Sequence, residues 1–249
     1  MVQSKGSISQ SDVSYVVILG VVPDTIRFLK AFRTQLSAML KDIHTHHLSS
    51  YPESQLWSCC FRDATSNSLK RAVHLSAGIH PWYLTKNDLV QQINWLEDML
   101  SDSRLLAIGE GGLDKLCDTP FDLQEEAFRV LIELSEQHQL PLVIHCVKSV
   151  AEILRLKKEY KPHLPWIIHG FRGKPQQATE LIRHGFYLSF GEKYAEKSLQ
   201  TIPLNRIFIE TDDRSIDTNL LYQRAATLRQ IPLENFEESV FENINQVFY

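Results

Sequence analysis

The chain has 249 residues, 43% hydrophobic and 22% charged, with 26 basic and 30 acidic side chains and a formal net charge of −4. That length suits one large domain or two small ones, since α/β barrels run to roughly 200–250 residues as one unit, and the composition excludes collagen, coiled coil and extended disorder. The mildly acidic balance argues against a basic nucleic-acid coat or a membrane-surface patch, and leaves room for a nucleic-acid substrate held by a local positive site or a metal.

Residues 1–38 hold one apolar run, 15–22 (YVVILGVV). It is far short of the roughly 20 residues that span a bilayer. It also makes a poor secretory signal, because only Lys5 precedes it and Pro23-Asp24 follows. Two readings are open for this stretch. One is a genuine extra segment with a helix over 25–40. The other, preferred here, takes Met39 as the start of the functional domain (39–249) and 1–38 as an extension of doubtful authenticity.

From Leu40 onward, short apolar runs alternate with amphipathic stretches. The runs are Leu40–His44, Leu56–Cys60, Val73–Ile79, Leu105–Ile108, Leu142–Cys146, Trp166–His169, Phe186–Phe190 and Arg206–Ile209. Near-continuous apolar character is what parallel strands buried on both faces require. Helices are predicted over 84–100, 121–139, 150–160, 175–184, 192–199, 218–229 and 233–248, from apolar residues three to four apart. Eight strands alternating with helices predict a compact (β/α)8 TIM barrel rather than an open sheet. Only about ten residues separate the first two strands, so the early crossover helices are expected to be shortened or missing. An incomplete or distorted barrel on that side would follow. The four cysteines form no paired or C-x-x-C pattern, which points to buried thiols in a reducing, cytoplasmic setting.

The strand ends carry the chemistry. The first ends in Asp42-Ile43-His44-Thr45-His46, and the fourth in Gly109-Glu110-Gly111-Gly112-Leu113-Asp114. The fifth ends at His145, the sixth at His169, and the eighth at Glu210-Thr211-Asp212. In a parallel barrel these ends share the C-terminal mouth, where barrel active sites are built. An H-x-H pair on a strand sends both imidazoles to one side, because side chains alternate with period two. A lone strand-end histidine is more often a hydrogen-bonded structural residue, and Glu110 could simply pair with a cation. Recurrence at one relative place on several strands favours a shared ion instead. Six ligands (His44, His46, Glu110, His145, His169 and Asp212) exceed what one catalytic ion needs while keeping an open position. Two divalent ions bridged by a carboxylate are therefore expected, with Zn²⁺, Mn²⁺, Mg²⁺, Co²⁺ or Ni²⁺ as candidates.

Six segments, DIHTHH (42–47), SAGIHPW (76–82), AIGEGGLD (107–114), LPLVIHCVKS (140–149), IIHGF (167–171) and IETD (209–212), occur in an order that resembles the TatD family of metal-dependent hydrolases, within the amidohydrolase-like barrel superfamily. The resemblance implies that His44, His46 and Asp212 hold one metal and His145 and His169 the other, with Glu110 bridging. It further implies a deoxyribonuclease that hydrolyses phosphodiesters with metal-activated water, Asp212 serving as general base. His80 of the GIHP segment is then a candidate substrate contact, with a structural histidine as the alternative. Lys148, Arg172 and Lys174 could add positive charge at the mouth, although a solvated loop cation is the commoner role for any one of them. Asp114 and Lys115 are expected to shape the loop after strand four. His47, His74, His138, His163 and His184 fall outside the pattern.

Three departures from the family pattern concern substrate rather than metal. The stretch between His46 and Gly78 is short, the sixth strand continues as HGFRGKP, and the chain after IETD reads DRSIDTN. A hydrolase of a small-molecule ester, phosphoester or amide is therefore an alternative to DNA cleavage, because one fold hosts many chemistries. A non-catalytic metal-binding protein is a third reading, opposed by the complete ligand set.

Overall fold

The computed structural model describes residues 40–249, in which all eight expected apolar runs form strands. They are β1 (Asp42–Thr45), β2 (Gln55–Cys60), β3 (His74–Gly78), β4 (Leu105–Asp114), β5 (Leu142–Val147), β6 (Trp166–Ile168), β7 (Phe186–Phe190) and β8 (Ile207–Ile209). Each pairs in parallel with the next in chain order. The circle is nearly closed: β1 meets β8 through one bridge, Thr45 to Asp212, with His46 N–H donating to Asp212 O and Asp212 N–H to His44 O, both at 2.9 Å. The preferred domain start at Met39 and the helix expected over 25–40 fall on or run into residues outside those described.

The helices between strands are α1 (Asn67–Arg71), α2 (Leu89–Met99), α3 (Phe121–His138), α4 (Val150–Tyr160), α5 (Pro175–Arg183) and α6 (Glu196–Thr201); α7 (Thr218–Arg229) and α8 (Leu233–Phe248) follow β8. The early crossovers are trimmed as expected. A single 3-10 turn, Pro52–Ser54, joins β1 to β2, and the five-residue α1 precedes β3. Among the described residues no helix is long and apolar enough to cross a membrane.

Three elements differ from expectation for local reasons. Strand β4 runs six residues past Ile108, because glycines allow it to keep pairing with β5 through a shift of register. At Gly112, φ is +149° and a Cβ would collide with the backbone oxygen of His145, so any other residue is strained there. Helix α2 starts at Leu89 rather than Leu84, because Leu84 is buried in extended conformation and Asp88 Oδ1 accepts the Thr85 N–H at 2.9 Å. Helix α6 starts at Glu196, the chain before it staying extended while Tyr194 packs edge-on against Phe190 at 5.5 Å.

The core lies in two shells. Ile43, Leu56, Leu75, Ile144, Ile168 and Phe208 are among the buried strand side chains, and the inward faces of the helices close around the strands. Helix α3 buries Ala127, Phe128, Leu131, Ile132 and Leu134, and Phe128 meets Trp166 at 5.8 Å. Removing a ring so placed costs about 3–5 kcal/mol. Asp42 ties the nearly closed edge. Its carboxylate accepts the Thr211 N–H at 3.0 Å and the Thr211 hydroxyl at 2.6 Å. Burial outweighs those bonds and pushes its pKa up to about 7.

Candidate metal centre

The C-terminal ends of the strands bring all six expected ligands to one place, with Glu110 at the middle. Its Oε2 lies 3.2 Å from His44 Nε2 and 3.3 Å from His46 Nε2. Its Oε1 lies 2.7 Å from His145 Nδ1, 2.7 Å from His169 Nε2 and 3.0 Å from His80 Nε2. Asp212 Oδ1 stands 3.9 Å from the Nε2 atoms of both His44 and His46. One carboxylate thus separates two histidine groups, one on each oxygen.

Backbone geometry explains the convergence. His44 lies on β1 and His46 directly follows its last residue, held by its N–H bond to Asp212; their rings stand 5.0 Å apart, with His44 fully buried and His46 partly open. Asp212 has a left-handed backbone (φ 56°), held by its two bonds to β1. Lys148, after β5, has a similar φ of 55°. Such conformations in non-glycine residues cost about 1–3 kcal/mol and concentrate at functional sites.

The electrostatics centre on Glu110. Burial alone would raise its pKa, but His169, His80 and His44, with the hydrogen bond from His145, hold the carboxyl well below the ordinary range. His169 is the counterpart. Burial opposes its charge, yet Glu110 and then Glu210 raise its pKa well above the ordinary value. Burial and the neighbouring His169 lower that of His44.

Two further carboxylates stand behind the rings, and sequence reasoning gave neither that place. Asp114 Oδ2 stands 3.1 Å from His145 Nε2 and accepts the Trp82 indole N–H at 2.7 Å. Asp114 thereby fixes the His145 ring with Nδ1 turned towards Glu110. Glu210 Oε1 lies 3.5 Å from His169 Nδ1 and accepts the Gly170 N–H at 2.6 Å. Glu210 could have been found from period-two spacing to Asp212. Asp114 has no comparable signal, since its reach depends on the extended β4. His80, one of the expected substrate contacts, accepts the Trp82 backbone N–H on Nδ1 at 3.1 Å, which leaves Nε2–H to donate to Glu110.

The donor set fits divalent cations. Both ring nitrogens of buried His44 lack a hydrogen-bond partner although Glu110 is close, an unsatisfied state that a bound cation would relieve. One donor atom from each of His44, His46 and Asp212 can be chosen so that all lie within 4.8 Å of one another, and the same holds for His44, Glu110 and His169, and for His80, Glu110 and His145. Imidazole with carboxylate is the ligation that borderline divalent metals take.

Above this centre opens a cavity of about 1050 Å³. Its wall includes Lys148 and Arg172, both expected at the mouth, together with Arg62, Trp82, Tyr83 and Arg214, which sequence reasoning left out. Arg172 Nη2 is 4.0 Å from Asp212 Oδ2.

Comparison with known proteins follows the same lines. Residues 61–249 match the family described as TatD related DNase. The Bacillus subtilis protein YabD, an uncharacterized metal-dependent hydrolase, is 29% identical over 201 residues, which is 71% of this chain and 77% of its own. A 3'-5' ssDNA/RNA exonuclease TatD of Cronobacter sakazakii is 32% identical over 149 residues, 55% of this chain and 56% of its own. Among solved structures, the TatD homolog YJJV of Escherichia coli K12 superposes with a TM-score of 0.70 at 16% identity, over 86% of this chain and 98% of that one. The family match begins after His44 and His46, and the fold carries these two to the same carboxylate as the matched His145 and His169. With the barrel, the histidine–carboxylate mouth and the match over residues 61–249 in hand, the chain belongs to the TatD-related DNase family of metal-dependent hydrolases.

Proposed function

We propose that this hydrolase cleaves phosphodiester bonds in single-stranded nucleic acid, as a deoxyribonuclease. The observation that carries the reading is the division of Glu110: Oε2 faces His44 and His46, and Oε1 faces His145 and His169. His44, His46 and Asp212 would hold one divalent ion and His145 and His169 a second, with Glu110 reaching both. Bound there, such ions supply Lewis-acid chemistry that lowers the pKa of water and offsets charge on a phosphoryl group.

The chain's own residues do the rest. Asp212 takes the proton of the attacking water. Asp114 and Glu210 keep His145 and His169 aimed at the centre. His80 holds Glu110 in place from the cavity wall. Arg172 and Lys148 draw the phosphate backbone to the mouth, which is how a chain of net charge −4 engages a polyanion. The 3'-5' ssDNA/RNA exonuclease named among the relatives supports the substrate class.

Labelled single-stranded DNA with Mg²⁺ or Mn²⁺ tests the reading. Cleavage is expected from the purified chain and not from Asp212→Asn. Equal residual cleavage by both proteins refutes it. Turnover confined to small phosphoesters, lactones or esters replaces the substrate while keeping the chemistry.

A further inference from the structure

Trp82 stands at the lip of the cavity with 56% of its surface exposed. Tryptophan is mostly buried in folded chains, so this exposure calls for a cause. The side chain is held in place. Its indole N–H donates to Asp114 Oδ2 at 2.7 Å, and its ring stands edge-on to His80 at 5.0 Å and His145 at 5.6 Å. The 3-10 turn Pro81–Tyr83 fixes the backbone beneath it, with the Trp82 N–H bonded to His80. Covering the histidines uses the ring's edge contacts and leaves much of its surface in solvent.

Tyr83 follows, 38% exposed, with the Arg62 guanidinium 4.4 Å from its ring centre. That cation–π contact steadies a second aromatic side chain on the same wall. Trp82, Tyr83 and Arg62 line the cavity together with Glu110, His145 and the cationic Lys148, Arg172 and Arg214. The cavity therefore combines a rigid π-surface, a histidine–carboxylate centre and several cations. A flat, unpaired ring system attached to a phosphodiester satisfies all three.

We propose that Trp82, seconded by Tyr83, is the specificity-determining platform of this site, stacking one unpaired nucleobase of the substrate beside the phosphodiester. The proposal rests on the phosphodiesterase reading above and adds to it a residue that selects for the base. Stacking a base on an aromatic side chain changes affinity between about 5- and 150-fold. Trp82 is tied to His145 through Asp114, so its replacement also disturbs the centre, and the test must separate the two effects. Trp82→Phe and Trp82→Leu both lose the indole N–H, but only the first keeps a ring.

Two measurements are needed. In the first, metal-free protein is titrated calorimetrically with deoxyadenosine monophosphate and with deoxyribose 5-phosphate, which lacks the base. In the second, the Mn²⁺-loaded protein cleaves single-stranded oligonucleotides that carry either a normal or an abasic nucleotide at the scissile position. Wild type is expected to favour the base-bearing ligand by at least about 5-fold in binding and in kcat/KM, Trp82→Phe to keep most of that ratio, and Trp82→Leu to bring it near one. A Trp82→Leu ratio equal to wild type overturns the proposal, and so does a wild-type ratio near one or no binding of the nucleotide. If wild type cleaves neither oligonucleotide, the phosphodiesterase reading fails by itself, and the binding ratios still decide whether Trp82 stacks a base.

Discussion

His44 Nε2 and Glu110 Oε2 stand 3.2 Å apart inside the barrel, yet no hydrogen bond joins them. A buried polar atom left unsatisfied costs about 1–3 kcal/mol. A cation shared by the two atoms removes that cost, and it would then stabilise the folded state far more than the unfolded one. Ligand present at 100–1,000 times its dissociation constant adds about 3–4 kcal/mol, which for a domain of this size is roughly 10 °C in Tm. Thermal unfolding with excess EDTA, and with Zn²⁺ or Mn²⁺ restored, is expected to differ by about that amount. Identical Tm values would remove the case for tight binding at this centre.

In the proposed centre Glu110 serves both histidine groups, so Glu110→Gln is expected to act on both proposed ions at once. The amide cannot offer two anionic oxygens. Metal content, measured after dialysis, should fall from the proposed two ions per chain to one or fewer. Activity should drop by more than the about 10–100-fold that follows loss of an outer-shell partner. Two retained ions and near-native turnover would contradict the bridging role.

Asp114→Asn isolates the outer shell. Asp114 Oδ2 receives both the Trp82 indole N–H and His145 Nε2. An Asn oxygen in that place still accepts one bond but loses the charge that fixes the His145 tautomer. Metal affinity is expected to weaken about 10–100-fold while the fold survives. Titration with a competing chelator reads the first quantity and circular dichroism the second. An unchanged affinity would mean that His145 needs no orienter.

Much of this site was legible in the chain itself, because its physics is local. His44 lies on β1 and His46 directly after it, and each apolar run leading to an expected ligand forms a buried strand. The rest depends on distances that no periodicity records. Asp114 reaches His145 only because glycines carry β4 past Ile108 beside β5. His80 reaches Glu110 from the neighbouring β3 side, and Arg62 meets Tyr83 across a gap of 21 residues. Strand register and the path of the turns settle such contacts, and both are tertiary facts.

Gly112 shows how tightly β4 and β5 are held. Any Cβ there would collide with the backbone oxygen of His145, and φ of +149° is itself strained for other residues. Gly112→Ala should combine backbone strain of about 1–3 kcal/mol with overpacking of similar size. A loss of about 2–5 kcal/mol in urea unfolding is expected, together with weaker metal binding as His145 is displaced. Wild-type stability would show that β5 yields freely.

At the opposite end of the barrel, Lys157 offers a pH test independent of the metal centre. Its Nζ lies 4.9 Å from the Trp166 ring centre and 4.5 Å from that of Phe186. Burial first, and then Arg206, lower its pKa from 10.5 to about 8. The folded chain therefore gives up this proton before the unfolded chain does. Between about pH 8 and 10.5 the unfolded state binds more protons, so this group's contribution to stability rises with pH. At pH 7 both states are charged, and the folded one bears a burial cost of about 3 kcal/mol. Attraction to the two rings returns about 1–2 kcal/mol. Lys157→Met should thus stabilise the chain at pH 7 by about 1–2 kcal/mol, and the gain should shrink as pH approaches 10.5. Urea midpoints of wild type and variant at pH 7 and pH 10 measure both quantities. A variant less stable at pH 7, or a gain that grows with pH, would mean that the rings more than offset the burial of the ammonium.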